Sequence, residues 1–295
     1  MTEASSKISS TREFHFTVQD FELVRKLIYD HAGISLGDSK QELVYSRLSR
    51  RLRATGIQSF AEYLELMQHK DSEEWEAFTN ALTTNLTAFF RESHHFPILA
   101  ELMLQLKNQG AMTLWCAAAS TGEEPYSMAM TAVEVFGSFS PPVSIIATDL
   151  DTRVLETAKA GIYPQDRIND LSPERVKRFF LRGTGTQDGM VRVRPELRNI
   201  ISFRQLNLLD RDWPLRPPPF DVIFCRNVMI YFDKDTQLAI LKKFAPLLRS
   251  HGFLFAGHSE SFSHAGEYFR LRGKTVYQLS PSFVAQRGAE KDAGR

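Results

Sequence analysis

The spacing of apolar residues divides the chain into two regimes. From Phe16 to about Phe90 they recur three and four positions apart and no stretch alternates, which predicts helices rather than strands. Phe21, Val24, Leu27 and Ile28 share one face of a first helix that ends at His31-Ala32-Gly33. A second helix is predicted over about 40–53, stopping at Gly56. A third, FAEYLELM, follows a Ser59 cap, and a fourth covers about 72–82. After Pro97 the pattern changes to short runs rich in β-formers: AMTLWCA, VSIIATD, ISFRQL, FDVIFCRN and FLFAGHS. Helical stretches lie between most of them. This alternation predicts an α/β domain with a largely parallel sheet. Residues 165–205 depart from it. A short helix, SPERVKRFF, is followed by glycines and an alternating VRVR, which predicts a small inserted antiparallel β-subdomain. The expected organisation is a helical N-terminal domain over 12–84, a linker over 85–97, and an α/β domain over 98–284 that holds the insertion. A disordered tail is expected over 285–295, and the Ser/Thr-rich residues 1–12 are expected to fray.

Composition narrows the function classes. The 295 residues are 43% hydrophobic and 24% charged, with a formal net charge of +1. These values fit a folded domain with a full core and give no global field for nucleic acid or membrane binding. Cys116 and Cys225 each lie in an apolar strand-like run, so buried thiols are expected rather than a disulfide or a metal site. His94 and His95 are adjacent on a predicted helix and point in different directions, a poor metal pair. No metal is expected. Pro217-Pro218-Pro219 reads as a stiff turn. With no signal-like segment and no membrane-length apolar run, a cytosolic protein is the default reading.

The stretch WCAAASTGEEPYSMAM, residues 115–130, carries the first chemical clue. A strand runs into small residues and a glycine before a helix, as in nucleotide-binding folds. Yet Glu123 and Glu124 stand where a phosphate would sit. They suit the positive end of the helix, with Ser120 or Thr121 as cap and one glutamate as its reciprocal partner, and Pro125 is tolerated in the first turn. They would repel a phosphate and suit a cationic ligand; S-adenosylmethionine, with its sulfonium and ammonium, is one. VSIIATDLD then places Asp149 and Asp151 just past the next strand's carboxyl end, where ligands bind in open α/β sheets. Asp151 reads as the cap of the helix TRVLETAKA, which leaves Asp149 for ribose hydroxyls.

Four segments together carry a family resemblance: NALTTNLTAFFRE at 80–92, AAASTGEEPYS at 117–127, FCRNVMIYFD at 224–233 and FAGHSES at 255–261. Over nearly its whole length the chain resembles the chemotaxis receptor methyltransferase family, CheR. The resemblance implies a small all-helical domain followed by a Rossmann-like S-adenosylmethionine-dependent methyltransferase domain with a small inserted β-subdomain. It implies methyl transfer to glutamate side chains on the cytoplasmic helices of chemoreceptors. It implies cofactor contacts at Asn85, Thr87, Arg91, Glu124, Asp149, Asn207, Leu208, Arg226 and Asn227, with Arg91 and Tyr231 at the reaction centre. A glutamate nucleophile, with a reference pKa near ~4.3, is already ionised at neutral pH, so the reaction requires no general base. Arg91 has the planar fork of donors to hold the incoming carboxylate.

Two basic stretches point to the partner. Arg47, Arg50 and Arg53 recur at helical spacing in KQELVYSRLSRRLR, suited to an acidic helical partner. Residues 165–205 hold nine Lys/Arg and five Asp/Glu. The resemblance implies that this subdomain can add a receptor's C-terminal peptide as an extra strand, with Arg182 or Arg192 meeting its carboxylate. The protein is read as a monomer, binding neither nucleic acid nor membrane. Two other readings stay open: a methyltransferase using S-adenosylmethionine on another substrate, and a non-catalytic adaptor that binds receptor tails.

Overall fold

The computed structural model describes residues 12–69, 71–215 and 219–293. The stretch expected to fray and the proline turn lie, apart from Arg12 and Pro219, outside them. The chain forms two units that part between Thr83 and Thr84.

The first unit is helical: α1 (Val18–Ala32), α2 (Gln41–Thr55), α3 (Phe60–Gln68) and α4 (Trp75–Leu82). Local chemistry sets their ends. The Thr17 hydroxyl accepts the Asp20 N–H while the Asp20 carboxylate accepts the Thr17 N–H, a reciprocal cap. Gly33 and Gly56 close α1 and α2 in the left-handed conformation, and Ser59 caps α3. Val24, Ile28, Leu48, Leu52, Tyr63 and Phe78 are fully buried in this unit's core. The arginine row of α2 is not a uniform free face. Arg47 Nη1 donates to the carbonyls of Ala81, Leu82 and Thr83 (3.3, 3.1 and 2.7 Å), so it closes the C-terminus of α4. Arg53 forms an exposed pair with Glu13, whereas Arg50 is exposed.

The second unit runs α5 (His95–Leu106), β1 (Met112–Cys116), α6 (Glu123–Phe136), β2 (Val143–Asp149), α7 (Thr152–Ala160), β3 (Ile162–Pro164), α8 (Pro173–Phe179), β4 (Phe180–Arg182), β5 (Met190–Val193), α9 (Pro195–Arg198), β6 (Ile201–Gln205), β7 (Phe220–Phe224), α10 (Lys234–Leu247), β8 (Leu248–Phe255), β9 (Phe269–Gly273), β10 (Val276–Leu279) and α11 (Pro281–Ala293). The main sheet has the order β6-β2-β1-β7-β8-β10-β9. Strands β6, β2, β1, β7 and β8 are parallel, and β10 is antiparallel to both its neighbours. Leu114 and Cys116 enter the core on one face of the sheet, while Trp115 enters the core on the other. Burial on both faces explains why the central strands read as unbroken apolar runs.

Two boundaries differ from the sequence expectation. The inserted sheet is β3-β5-β4, and all its pairs are antiparallel. It therefore begins at Ile162, and residues 201–205 leave it to pair with β2 in the main sheet. The residues expected as a disordered tail are helical as far as Ala293. Ser280 Oγ accepts the Phe283 N–H, Phe283 and Val284 pack on the core, and Arg287 Nη1 donates to the Leu248 carbonyl. These anchors offset a polar composition that by itself predicts disorder. The expected linker, 85–97, belongs to the second unit and runs into α5.

Candidate active site

The loops that leave the carboxyl ends of the parallel strands β1, β2, β6 and β7 lie along one edge of the sheet, and the motif residues gather there. The order of strands switches sides at β1, which opens a crevice for ligand. After β1 the backbone turns left-handed at Ser120 (φ 48°) and Gly122 (φ 100°). A Cβ on Gly122 would lie 2.8 Å from the Ala158 Cβ, so the turn accepts only glycine.

The expected cap of α6 is replaced by another arrangement. Gly122 occupies the cap position without a side-chain bond. The Ser120 N–H donates instead to Asp149 Oδ2 (2.7 Å), and Thr121 Oγ1 donates to Glu123 (2.6 Å). Glu123 is buried against Arg167 of the insertion, whose Nη2 also donates to the Thr87 carbonyl (2.9 Å). Both glutamates thus face cations supplied by distant parts of the chain, a stronger attraction than a local hydroxyl offers.

Glu124 accepts from Arg226 Nη1 at 2.7 Å and from the Cys116 thiol at 3.2 Å. Arg226 Nη2 donates to the Arg91 carbonyl (2.6 Å) and pairs with Glu92 Oε2 (3.0 Å). The Arg226 side chain is wholly buried, so its guanidinium serves these protein partners and cannot itself line an open pocket. Burial pushes the Glu124 carboxyl up, with Arg226 opposing. Burial also acts to raise Glu92, but Arg226 and the hydrogen bonds of Asn227 and His258 outweigh it and hold Glu92 at about 2. Asp149 is pushed up to about 6 by burial, against the N–H groups of Asp151 and Ser120.

The remaining candidate residues make the following contacts. Asn85 Nδ2 donates to Asp151 Oδ2 (2.8 Å), and the Asn85 carbonyl accepts the Ser120 hydroxyl (3.2 Å). Asp151 caps α7, as its position predicted. Arg91 Nη1 donates to the Leu86 carbonyl (2.7 Å), and no ion pair involves Arg91 among the described residues. The Tyr231 hydroxyl lies 3.5 Å from the Thr84 carbonyl. Asn207 follows β6, whose continuation Leu206 donates its N–H to the Asp149 carbonyl (3.0 Å). Leu208 is a core side chain, so only its backbone is available to a ligand. Asn227 adopts φ 58° and donates its Nδ2 to Glu92 Oε1 (3.1 Å). Of the six described non-glycine residues with positive φ, Phe90, Glu92, Ser120 and Asn227 are at this site. Such strain persists only where surrounding contacts enforce it.

Reading by motif missed Glu92, Glu260 and Arg167 as site residues. The first two lie inside FFRE and FAGHSES, and their place in motifs that carry the resemblance was the available signal. Arg167 gave none, because its partners are 44 and 80 positions away. The two candidate docking arginines separate. Phe180, Leu181 and Arg182 of β4 face Val193, Arg192 and Val191 of β5, so Arg182 and Arg192 project from opposite faces of the small sheet.

Two buried carboxylates share one guanidinium beside a third acid at the strand ends, a donor set that fits a cationic ligand and disfavours a phosphate. Fold and site together define an S-adenosylmethionine-dependent methyltransferase. Residues 85–278 match the model of the CheR methyltransferase S-adenosylmethionine-binding domain, and residues 19–83 match the CheR methyltransferase all-alpha domain. The chain is 53% identical to chemotaxis protein methyltransferase 2 of Pseudomonas aeruginosa, over 94% of this chain and 98% of that one. It is 50% identical to the chemotaxis protein methyltransferase of Escherichia coli K12, over 94% and 96%, and 51% identical to that of Salmonella typhimurium, over the same shares. The chain belongs to the CheR family of chemotaxis methyltransferases. No described helix is long and apolar enough to cross a membrane.

Proposed function

We propose that this enzyme esterifies glutamate side chains on the cytoplasmic helices of chemoreceptors, acting in the cytoplasm. The observation that carries the reading is the contrast between two arginines. Arg226 is buried between Glu92 and Glu124, whereas Arg91 is half-buried, bonded to one carbonyl, and has donors to spare for an incoming carboxylate.

When bound, S-adenosylmethionine supplies an electrophilic methyl group on sulfonium. Asp149 keeps a second lone pair on each oxygen for ribose hydroxyls, beyond those already accepting backbone N–H groups. Glu124 brings negative charge toward the donor's cationic end, and Asn85, Thr87, Asn207, Asn227 and the backbone at Leu208 complete the pocket. Arg226 acts on it from behind, by holding Glu124. Arg91 orients the substrate carboxylate for in-line attack, and Tyr231 bounds the acceptor from the other side. Arg91 and Tyr231 supply position, which is the larger part of what such a reaction needs. On the helical unit, Arg50 is the member of the α2 row available to an acidic receptor helix. The free edge of β4 offers backbone groups to a receptor tail.

Receptor cytoplasmic fragments incubated with methyl-labelled donor test the reading. Base-labile label on glutamate is expected. Donor binding without transfer to any receptor of the host would overturn it.

A further inference from the structure

Glu260 lies in FAGHSES, the stretch that leaves β8. Its carboxylate is buried beneath the turn that follows β7. Oε2 accepts the N–H groups of Asn227 (3.0 Å) and Gly257, and Oε1 accepts that of Met229 (2.8 Å). One carboxylate thus holds both ends of the left-handed step at Asn227, just ahead of the short helical turn Met229–Tyr231. The Asn227 side chain is held separately. Glu92, itself at φ 53°, takes Asn227 Nδ2 on Oε1, and the same oxygen accepts the His258 N–H (3.2 Å). Gly257 closes the third side: a Cβ there would lie 2.4 Å from Asn227 Nδ2 and 2.9 Å from its backbone nitrogen.

Each carboxylate has little exposure, and both bond Asn227, which has positive φ. Asparagine tolerates the left-handed conformation better than most non-glycine residues, and here its N–H and its side chain are each anchored by a carboxylate. We propose that Glu92 and Glu260 form a clamp that positions Asn227 for the methyl donor, Glu92 through the side chain and Glu260 through the backbone. This rests on the reading of Asn227 as a donor contact. The clamp also links the donor and acceptor halves of the site, because Glu92 directly follows Arg91 and Glu260 anchors the turn that carries Tyr231.

Titration calorimetry with S-adenosylhomocysteine on Glu92→Gln, Asn227→Ala and the double variant tests the clamp without relying on turnover. Glu92→Gln keeps the shape and the Oε1 acceptor but loses the charge that draws Asn227 and Arg226 together. It is expected to weaken binding about tenfold, the scale of one charge-assisted hydrogen bond. The double variant is expected to lose less than the sum of the two single losses, since Glu92 acts in part through the Asn227 side chain and in part through Arg226. Glu260→Asp, which retains the charge but shortens the reach, is expected to fall between wild type and Glu260→Gln. Unchanged affinity in Glu92→Gln, or fully additive losses in the double variant, would overturn the clamp while leaving Asn227 a donor contact. Unchanged affinity in Asn227→Ala would remove the contact itself and the clamp with it.

Discussion

The charges at the strand ends and those on the outer surfaces follow opposite rules. Around Arg226, charge is buried, paired and shared, and each group has one geometry. On the outer side of α2 and on the small sheet, Arg50, Arg182 and Arg192 are exposed. Buried charges hold a site rigid because losing a partner leaves an uncompensated ion in low dielectric. Exposed ones attract and orient a partner, with energies that salt erodes. The division separates the buried strand-end site from the exposed surfaces proposed to meet a receptor.

The largest effect should come from breaking the buried set. Arg226→Met leaves Glu92 and Glu124 facing each other without a cation. It should cost about 3–5 kcal/mol of stability, measured by urea unfolding. A loss below about 1 kcal/mol would show that this cluster behaves like a surface pair.

Arg91→Ala tests the functional half of the same contrast. Methyl transfer should fall roughly a hundredfold, the scale of misplacing a reactant, while affinity for S-adenosylhomocysteine changes far less. Parallel losses would make Arg91 a donor contact and remove its role in holding the substrate.

A smaller effect, with a defined pH dependence, is expected at Asp149. Its carboxyl is raised to about 6 in the folded protein, above its ordinary value of 3.8. Donor-free stability from its protonated form is therefore fully present below pH 3.8 and lost as pH rises through about 6. Donor binding calls on the ionised form, so affinity should be level above pH 6 and fall toward about tenfold per unit below it. Asp149→Asn should weaken binding at pH 8 and flatten that profile. An unaltered profile would assign the titration to another group.

The smallest effects belong to the exposed arginines. Because Arg182 and Arg192 project from opposite faces, a receptor tail added along β4 meets only one of them with its terminal carboxylate. Only one single alanine variant should weaken peptide binding, by about two- to fivefold and less at high salt. Equal losses from both would place the peptide elsewhere than on one face of the sheet.

The helices of the first unit and the parallel strands of the second were legible because burial on one face leaves a helical period and burial on two leaves a short unbroken apolar run, each bounded by local caps, glycines or turns. Asp151 as a cap and Asp149 as its neighbour at the strand end followed from position alone. The capping of α6 did not, because the groups that take up Glu123 and Glu124 come from 44 and 102 residues away. The same limit hid Arg47, whose spacing marks a solvated face but whose guanidinium closes the end of α4. It also hid α11, whose composition is polar but whose Phe283 and Val284 find the core.

The amino-acid order by itself determined the two-part architecture, the acidic character of the donor loop and the set of motif residues, since periodicity, turn chemistry and charge type are local properties. Tertiary structure alone decided which arginine is buried and which is available, which carboxylates grip Asn227, and which face of the small sheet each arginine occupies. Those outcomes depend on pairing register and on partners far apart in the chain, and a shift of one residue in register would turn every side chain of a strand to the other face.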